Sequence, residues 1–284
     1  MPVETEVIVR HLEEREKKEG KLPPLLKFYQ KLLRVQSEVE RKSASQSKVS
    51  LSREAINKQL ERGLPLIDLF EPALDCQLLI DTFNKVTAIF GEHSELFRTS
   101  PKKLKEIKAT PLLVREVTGA WLREHKLPLM MLNHVADENL LTAVIQATLK
   151  PFLVGQAKTL INFVDQELWR RGFCPICGGI PDLAYLDKER GSRWLVCSGC
   201  DTEWVFHRLQ CPYCGTQDQN ALAYLTDDKG LYRLYVCEQC KHYLKAIDLR
   251  QAEAEVLFPL ERFYTVDMDR QAQEQGYRPS LVRN

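Results

Sequence analysis

The sequence predicts an α+β protein: an all-α N-terminal domain followed by a tandem zinc-ribbon or rubredoxin-like module with two four-cysteine metal sites. Two observations support this prediction. Residues 1–170 carry apolar side chains spaced three and four apart, as on the buried face of a helix. Residues 173–240 hold eight of the nine cysteines, in four Cys-x-x-Cys pairs. A chain of 284 residues is long enough for two domains of ordinary size.

The N-terminal helices are predicted from apolar spacing and from residues that favour helix ends. Ser52 and Thr110 are expected to cap helices, because a hydroxyl oxygen can accept one of the free N–H groups there. Asp137 should cap a helix that ends at Leu149, and a last helix should run from about Pro151 to Arg170. The chain has no Gly-rich phosphate loop, no HExxH motif and no serine nucleophile elbow. The sequence therefore predicts a protein that is not an enzyme.

The paired cysteines match the spacing of metal-binding modules. A two-residue gap lets two thiolates on one tight turn reach the same ion, and two such turns supply the four sulfurs of a tetrahedral site. Nineteen residues separate the first two pairs and twenty-two separate the last two, close to the template for such modules. The predicted metal ligands are Cys174, Cys177, Cys197, Cys200, Cys211, Cys214, Cys237 and Cys240.

The cysteine region is an internal duplication. Each half reads Cys-Pro-x-Cys-Gly, then Leu-Ala-Tyr-Leu, a polar turn ending in Gly, and a second Cys-x-x-Cys. The Leu-Ala-Tyr-Leu segments begin at Leu183 and Leu222, and the turns that follow them predict a hairpin in each half. Because the same parts occur twice, each half should close its own site with its own two pairs.

Thiolate-only tetrahedral sites accept zinc or iron, so we expect two metal ions, either iron or zinc. Sites with no spare ligand usually hold a small domain together. Two other functions fit the motifs: a rubredoxin-like electron-transfer protein, and a zinc ribbon that binds nucleic acid. The charge of the module disfavours nucleic-acid binding. Residues 171–250 contain ten Lys/Arg and ten Asp/Glu, which balance, and eight thiolates with two divalent ions then leave a net charge of −4.

A short alternating stretch joins the two ribbons and could dock a partner. The candidate contact residues are Thr202, Glu203, Trp204, His207 and Arg208. The alternative for Trp204 is that its ring packs against a cysteine knuckle, as is common in small metal-centred cores.

Three parts of the chain are predicted, together with its compartment. Residues 1–170 form the helical domain, 171–250 the metal module (ribbons 171–208 and 209–250), and 251–284 a C-terminal extension. The N-terminus lacks the features of a secretory signal, and no uncharged apolar run reaches about 18 residues. Paired thiols without a signal fit a reducing compartment. We therefore expect a cytoplasmic protein that does not insert into a membrane.

The cysteine region resembles the formate dehydrogenase accessory proteins of the FdhE family. The residues that carry the resemblance are Gly172–Gly178, Cys200–Trp204, Tyr243–Lys245 and Gly276–Pro279. The resemblance implies a cytoplasmic maturation factor that contacts the catalytic subunit of formate dehydrogenase, which carries molybdenum or tungsten with a pterin cofactor. It also implies oxygen-sensitive iron in rubredoxin-like sites, the eight cysteines as ligands, and Thr202-Glu203-Trp204 as the signature between them.

Overall fold

The computed structural model describes residues 4–43, 52–69, 74–97, 99, 101, 104, 107–124, 127–128 and 137–280. The chain divides into two compact units. The helical unit comprises the described parts of Val3–Val49 and Glu71–Thr159, and the ribbon unit comprises those of Ser50–Phe70 and Leu160–Asn284. The predicted domain boundaries at 170 and 250 stay a prediction. The ribbon unit also includes a segment from residues 50–70, which precedes the cysteines by about 100 residues.

The α-helices of the described chain are α1 (Thr5–Glu19), α2 (Pro24–Ser43), α3 (Arg53–Glu61), α4 (Cys76–Glu92), α5 (Pro111–Glu124), α6 (Glu138–Leu160), α7 (Phe258–Tyr264) and α8 (Val266–Glu274). Within the helical unit, α2 packs against both α1 and α4, and α4 packs against α5. Aromatic rings fill part of this core: Phe28 lies 5.0 Å from Phe90, ring centre to ring centre, and Phe90 stacks 4.9 Å from Phe97. Buried apolar contact holds the unit together.

The expected helix caps are present. Ser52 Oγ accepts the N–H of Ala55 at 3.2 Å, and Thr110 Oγ1 accepts the N–H of Leu113 at 3.3 Å. Asp137 Oδ1 accepts the N–H of Leu140 at 3.1 Å. Each of these bonds satisfies an N–H that the first turn of a helix leaves without a partner.

One helix differs from the sequence prediction at Pro151. We expected two helices separated there, but α6 runs through Pro151 and ends at Leu160 rather than Arg170. Proline removes the N–H that would bond to the carbonyl four residues earlier, that of Ala147. Gln36 donates its side-chain N–H to the Ala147 oxygen at 2.8 Å, within the core. The freed carbonyl is thereby satisfied, so the helix can continue.

The segment Glu138–Phe163 is long and apolar enough to cross a membrane by length and composition alone. However, 72% of its most apolar window is buried inside the protein, as in the core helix of a globular domain.

A single six-stranded sheet forms the centre of the ribbon unit. Its strands are β1 (Pro181–Leu186), β2 (Arg193–Cys197), β3 (Glu203–Phe206), β4 (Leu222–Thr226), β5 (Tyr232–Cys237) and β6 (Tyr243–Asp248). The strand order is β3-β2-β1-β6-β5-β4. Each half is an antiparallel three-stranded piece, and the halves join where β1 pairs in parallel with β6. The predicted α+β class and both predicted hairpins are confirmed.

The two Leu-Ala-Tyr-Leu segments are not in the same register. The register of β1 shifts between Pro181 and Leu183, and Tyr185 then pairs with Trp194, three residues before Cys197. In the second half, Tyr224 pairs with Tyr235, two residues before Cys237. A one-residue slip turns side chains to the other face of a sheet. The two tyrosines of the repeat therefore face opposite sides.

The C-terminal extension covers one face of the sheet. Phe258 and Val256 pack against a buried cluster that includes Leu183, Tyr185 and Ile247. Ala272 of α8 is buried in a second cluster with residues of β5 and β6. The extension therefore contributes to the apolar core of the ribbon unit.

Candidate metal centre

The first four cysteines converge on one point in the ribbon unit. The sulfurs of Cys174, Cys177, Cys197 and Cys200 all lie within 4.8 Å of one another. Cys174 Sγ is 3.6 Å from Cys200 Sγ, and Cys177 Sγ is 3.4 Å from Cys197 Sγ. Zinc–sulfur bonds of about 2.3 Å in a tetrahedron put the sulfurs about 3.8 Å apart. The cluster could hold one metal ion, and all four of its residues are buried.

The last four cysteines form a second cluster of the same kind. Cys211 Sγ is 3.7 Å from Cys240 Sγ, and Cys214 Sγ is 3.7 Å from Cys237 Sγ. Cys211 and Cys237 are buried, whereas Cys214 is exposed and Cys240 is half-buried. The structure thus groups the cysteines within each half, as the duplication predicts. The two clusters differ in access to solvent.

The same backbone turn carries each Cys-x-x-Cys pair. The residue after the second cysteine adopts a left-handed conformation in all four turns, with φ of 74° at Gly178, 56° at Asp201, 76° at Gly215 and 56° at Lys241. Its N–H bonds back to the carbonyl of the first cysteine, at distances between 2.8 and 3.2 Å. Glycine adopts this conformation without strain, and aspartate and lysine must be held there by the turn.

Hydrogen-bond donors surround the sulfurs of the first cluster. The N–H groups of Ile176, Gly179 and Gly199 each donate to a cysteine sulfur at 3.4 Å. The hydroxyl of Thr202 lies 3.0 Å from Cys200 Sγ. Such donors disperse the negative charge of thiolates and fix the orientation of ligands.

Several cluster thiols favour the protonated form when no cation is bound. Hydrogen bonding to Cys174, together with burial, raises the pKa of the Cys177 thiol well above its ordinary value. Burial raises the pKa of Cys240 to about 11, whereas hydrogen bonds from Cys240 and Cys214 outweigh burial and lower the pKa of Cys237. A divalent cation reverses this preference, because it stabilises the thiolates that bind it. Metal binding at these sites should release protons.

Arg262 braces the first cluster from the C-terminal extension. Its guanidinium donates two hydrogen bonds to Asp182, at 2.7 and 2.9 Å, and one to Asp201 Oδ1 at 2.8 Å. It also donates to the carbonyl of Cys197 at 3.0 Å. Asp201 is the left-handed residue of the second turn, so this network fixes the turn that presents Cys197 and Cys200. Arg262 lies 62 residues beyond Cys200 in the sequence. No sequence motif around Arg262 indicates that it contacts the cysteine turns.

A second brace comes from earlier in the chain. The N–H of Leu66 donates to the carbonyl of Pro175 at 2.8 Å, and that of Ile67 donates to the carbonyl of Ile176 at 2.9 Å. Both carbonyls belong to the first cysteine turn. The segment that follows α3 is therefore part of the ribbon unit, and the sequence analysis did not place it there.

The predicted partner-docking residues lie in different environments. Thr202 and Trp204 are fully buried, and Trp204 donates its ring N–H to the carbonyl of Arg171 at 2.8 Å. Glu203 accepts the hydroxyl of Tyr185 at 2.7 Å. His207 and Arg208 are exposed. The geometry favours the packing role for Trp204, and docking stays a prediction whose accessible members are the last two residues.

Comparison with known proteins identifies similar chains. A family model described as the FdhE central domain matches residues 173–208. An Aquifex aeolicus protein named "Protein FdhE homolog" is 27% identical over 235 residues, 81% of this chain and 77% of that relative. A Haemophilus influenzae protein of the same name is 25% identical over 63% of this chain and 60% of its own length. An Escherichia coli "Protein FdhE" is 26% identical over 40% of this chain and 37% of its own length.

A solved structure supports the fold. The crystal structure of the FdhE protein from Pseudomonas aeruginosa matches 88% of this chain and 84% of its own chain, with a TM-score of 0.51 and 19% sequence identity. These comparisons confirm the resemblance to the FdhE family. The match spans less than two thirds of the Haemophilus and Escherichia relatives.

Proposed function

We propose that this chain is a non-enzymatic accessory factor for the maturation of formate dehydrogenase, and that it binds the catalytic subunit of that enzyme. The observation that carries the proposal is the similarity to FdhE proteins, which extends over 81% of the chain in the Aquifex relative. The family's role as an accessory to formate dehydrogenase supplies the partner. The two thiol clusters fit a reducing compartment, which supports a cytoplasmic location.

The chemistry of the clusters agrees with a role in binding or assembly. In each cluster the protein supplies four sulfur ligands, so a tetrahedral ion there would have no open position for a substrate or an activated water. Eight cysteines would hold two ions, and we propose iron or zinc as the metal. Closed sites of this kind stabilise a fold and present a surface, which suits a protein that recognises another chain.

One observation favours a second candidate function, electron transfer. Cys214 and Cys240 place the second cluster at the surface, where a bound iron could exchange electrons with a partner. A reversible one-electron potential in the physiological range would support this function. Colourless protein with two zinc ions would exclude it.

A complementation experiment tests the accessory role. In a host that lacks its own accessory protein, this chain should restore formate dehydrogenase activity, and the catalytic subunit should co-purify with it. The variant Cys174→Ser/Cys177→Ser should lose enzyme activity while the amount of the subunit stays constant. Cys76→Ser is the matched control, because Cys76 lies on α4 outside both clusters and its loss should leave activity unchanged.

The outcome of this experiment decides the proposal. Full enzyme activity in the absence of this chain, or activity restored without any contact between chain and subunit, would contradict it. Metal analysis and the absorption spectrum of protein purified without oxygen identify the ion, because thiolate-bound iron is coloured and zinc is not.

A further inference from the structure

The outer strand of the sheet, β4, is apolar and exposed. In the strand order of the described residues β4 is the last strand, with only β5 beside it. The side chains of Tyr224 and Leu225 are 51% and 47% exposed. Exposed apolar edge strands are uncommon in monomeric proteins, because their free backbone groups invite another strand.

The duplication shows what the equivalent edge carries in the first half. There β1 occupies the place that β4 has in the second half, next to the strand that leads into a second cysteine pair. The far edge of β1 is covered by β6, which pairs with it in parallel from Leu183–Lys245 to Leu186–Asp248. Every residue of β1 except Asp182 is buried, whereas no residue of β4 is. The second half therefore lacks the strand that completes the first.

Backbone groups of β4 point along the sheet toward the open edge. The N–H of Glu238 donates to the carbonyl of Ala221 at 2.8 Å, and that of Asp227 donates to the carbonyl of Tyr232 at 3.2 Å. In an antiparallel ladder bonded residues alternate, so the bonds toward β5 fall at odd-numbered residues of this strand. The N–H and carbonyl groups of Leu222, Tyr224 and Thr226 therefore point outward.

A cleft with two arginines in its lining lies beside this edge. It has a volume of about 290 Å³ and is lined by Tyr224, Tyr235, Arg193, Arg208 and the 61%-exposed Leu209, among others. No Asp or Glu is among its described lining residues, although Cys211 and Cys237 of the second cluster also line it. Arg193 and Arg208 are the cations that an incoming carboxylate would meet there.

Arg193 is the buried cation of the cleft, and Arg208 is the exposed one. Its side chain is only 3% exposed and lies over the rings of Phe206 and Tyr235, with Cζ 5.2 and 5.6 Å from the ring centres. It donates to the carbonyls of His207 and Gln210, but its Nε is buried without a partner among the described residues. Because this atom is buried, an incoming carboxylate would meet the exposed Arg208 first, and Arg193 would attract it at longer range.

We propose that an extended segment of a partner polypeptide adds to β4 as a parallel strand, with an apolar side chain beside Leu225 and an acidic side chain in the cleft. The backbone pairing reproduces that of β6 on β1, and the two arginines select the acidic residue. The proposal rests on the proposed function only for the identity of the partner, the catalytic subunit of formate dehydrogenase.

A peptide derived from β6 provides a direct probe of the edge. A synthetic peptide with the sequence of residues 242–249 should bind the full-length, metal-loaded protein at β4. Because of the register shift, Tyr224 occupies the position of Ala184: each pairs with the residue two before the next cysteine, Cys237 or Cys197. Ala184 pairs with Ala246, so Ala246 of the peptide would lie opposite Tyr224 and face the cleft. A peptide carrying Ala246→Glu should bind about fivefold more tightly than one carrying Ala246→Lys. Arg208→Gln in the protein should reduce that preference.

Amide hydrogen exchange, read residue by residue by NMR, gives a signature specific to strand addition. The outward N–H groups of Leu222, Tyr224 and Thr226 should become protected on binding. Those of Ala223 and Leu225 already bond to β5 and should change little. Uniform protection along β4, or none, would overturn the proposal.

A proline at the edge tests the backbone pairing. Thr226→Pro removes one outward N–H and should weaken peptide binding about tenfold. Thr226→Ala is the matched control, because it removes the same side chain and keeps the N–H, so its affinity should stay within about twofold of the native protein. Equal affinity for both variants would contradict strand addition.

The same exchange measurement with the catalytic subunit separates this proposal from the proposed function. If the complex forms and the outward amides stay unprotected, β4 is not the docking site, and the accessory role stands. If no complex forms but the peptide gives the alternating protection, the accessory role fails and the edge site stands. The outward amides could instead become protected as the protein concentration rises, without peptide or subunit, while the protein has twice the monomer mass. This result would assign the edge to a second copy of the chain and overturn the proposal.

Discussion

Arg262→Ala should destabilise the first cysteine cluster more than the second. The guanidinium is only 13% exposed and donates four hydrogen bonds, to Asp182, Asp201 and the Cys197 carbonyl. The substitution leaves the 14%-exposed Asp201 carboxylate without this partner, while Asp182, at 36%, can turn to solvent. Because hydrogen bonds to charged groups contribute about 1.5–3 kcal/mol each and the Asp182 pair must be discounted for solvent screening, we expect a loss of about 3 kcal/mol.

Two measurements test the Arg262 prediction. Urea denaturation of the metal-loaded protein should show the lower stability, and a chelator should then remove the ion of the first site before that of the second. Arg270→Ala is the control, because Arg270 is 69% exposed and pairs with the exposed Asp267. It should cost less than about 0.5 kcal/mol. Equal effects of the two substitutions, or equal metal loss from both sites in Arg262→Ala, would refute the reasoning.

Three further predictions follow from the ribbon unit. Gly172→Ala should lower stability by about 3 kcal/mol, since the added Cβ would lie 1.8 Å from the backbone oxygen of Pro212; an unchanged urea midpoint would contradict this close approach. Asp248→Asn should cost about 2 kcal/mol at pH 7, because Asp248 is buried and bonds to Arg233 and Arg250, which hold its pKa below the ordinary value. That stabilisation is present above the unfolded pKa of about 3.9 and lost as pH falls through the folded pKa, so the difference between variant and native protein should close below about pH 4 in an acid titration. In the native protein a chelator should remove the ion of the solvent-accessible second site before that of the buried first site, and the reverse order would count against the burial argument.

The local features of the ribbon unit were predictable from sequence. The cysteine turns depend on residues three apart and, in two of the four turns, on the glycine that follows, and both hairpins depend on alternation within about six residues. The helix caps at Ser52, Thr110 and Asp137 are likewise set by the chain close to them. In each case the residues that form the feature are neighbours in sequence.

Features that depend on distant residues were not predictable. The helix through Pro151 needs the side chain of Gln36, which lies 111 residues from Ala147. The parallel pairing of β1 with β6 joins the two halves and has no signal in either hairpin. The brace at Arg262 belongs to the same class, because its partners precede it by 61 and 80 residues.

The duplicated Leu-Ala-Tyr-Leu segment shows a further limit of sequence patterns. Because the two repeats carry the same residue at Tyr185 and Tyr224, these tyrosines were expected at equivalent positions in the sheet. A register shift in β1 instead places them on opposite faces. In the first half the covering strand and the C-terminal extension bury the segment, and in the second half it is exposed. Repeated sequence therefore identified the strands without fixing their surroundings.

The central claim is that each half of the duplication closes its own metal site. It is tested by counting bound ions by mass spectrometry under native conditions in two variants with four serines each. Replacement of the four cysteines of the first half, Cys174, Cys177, Cys197 and Cys200, should leave one ion. Replacement of Cys174, Cys177, Cys211 and Cys214, which takes two ligands from each site, should leave none. One ion in the second variant and none in the first would contradict the account.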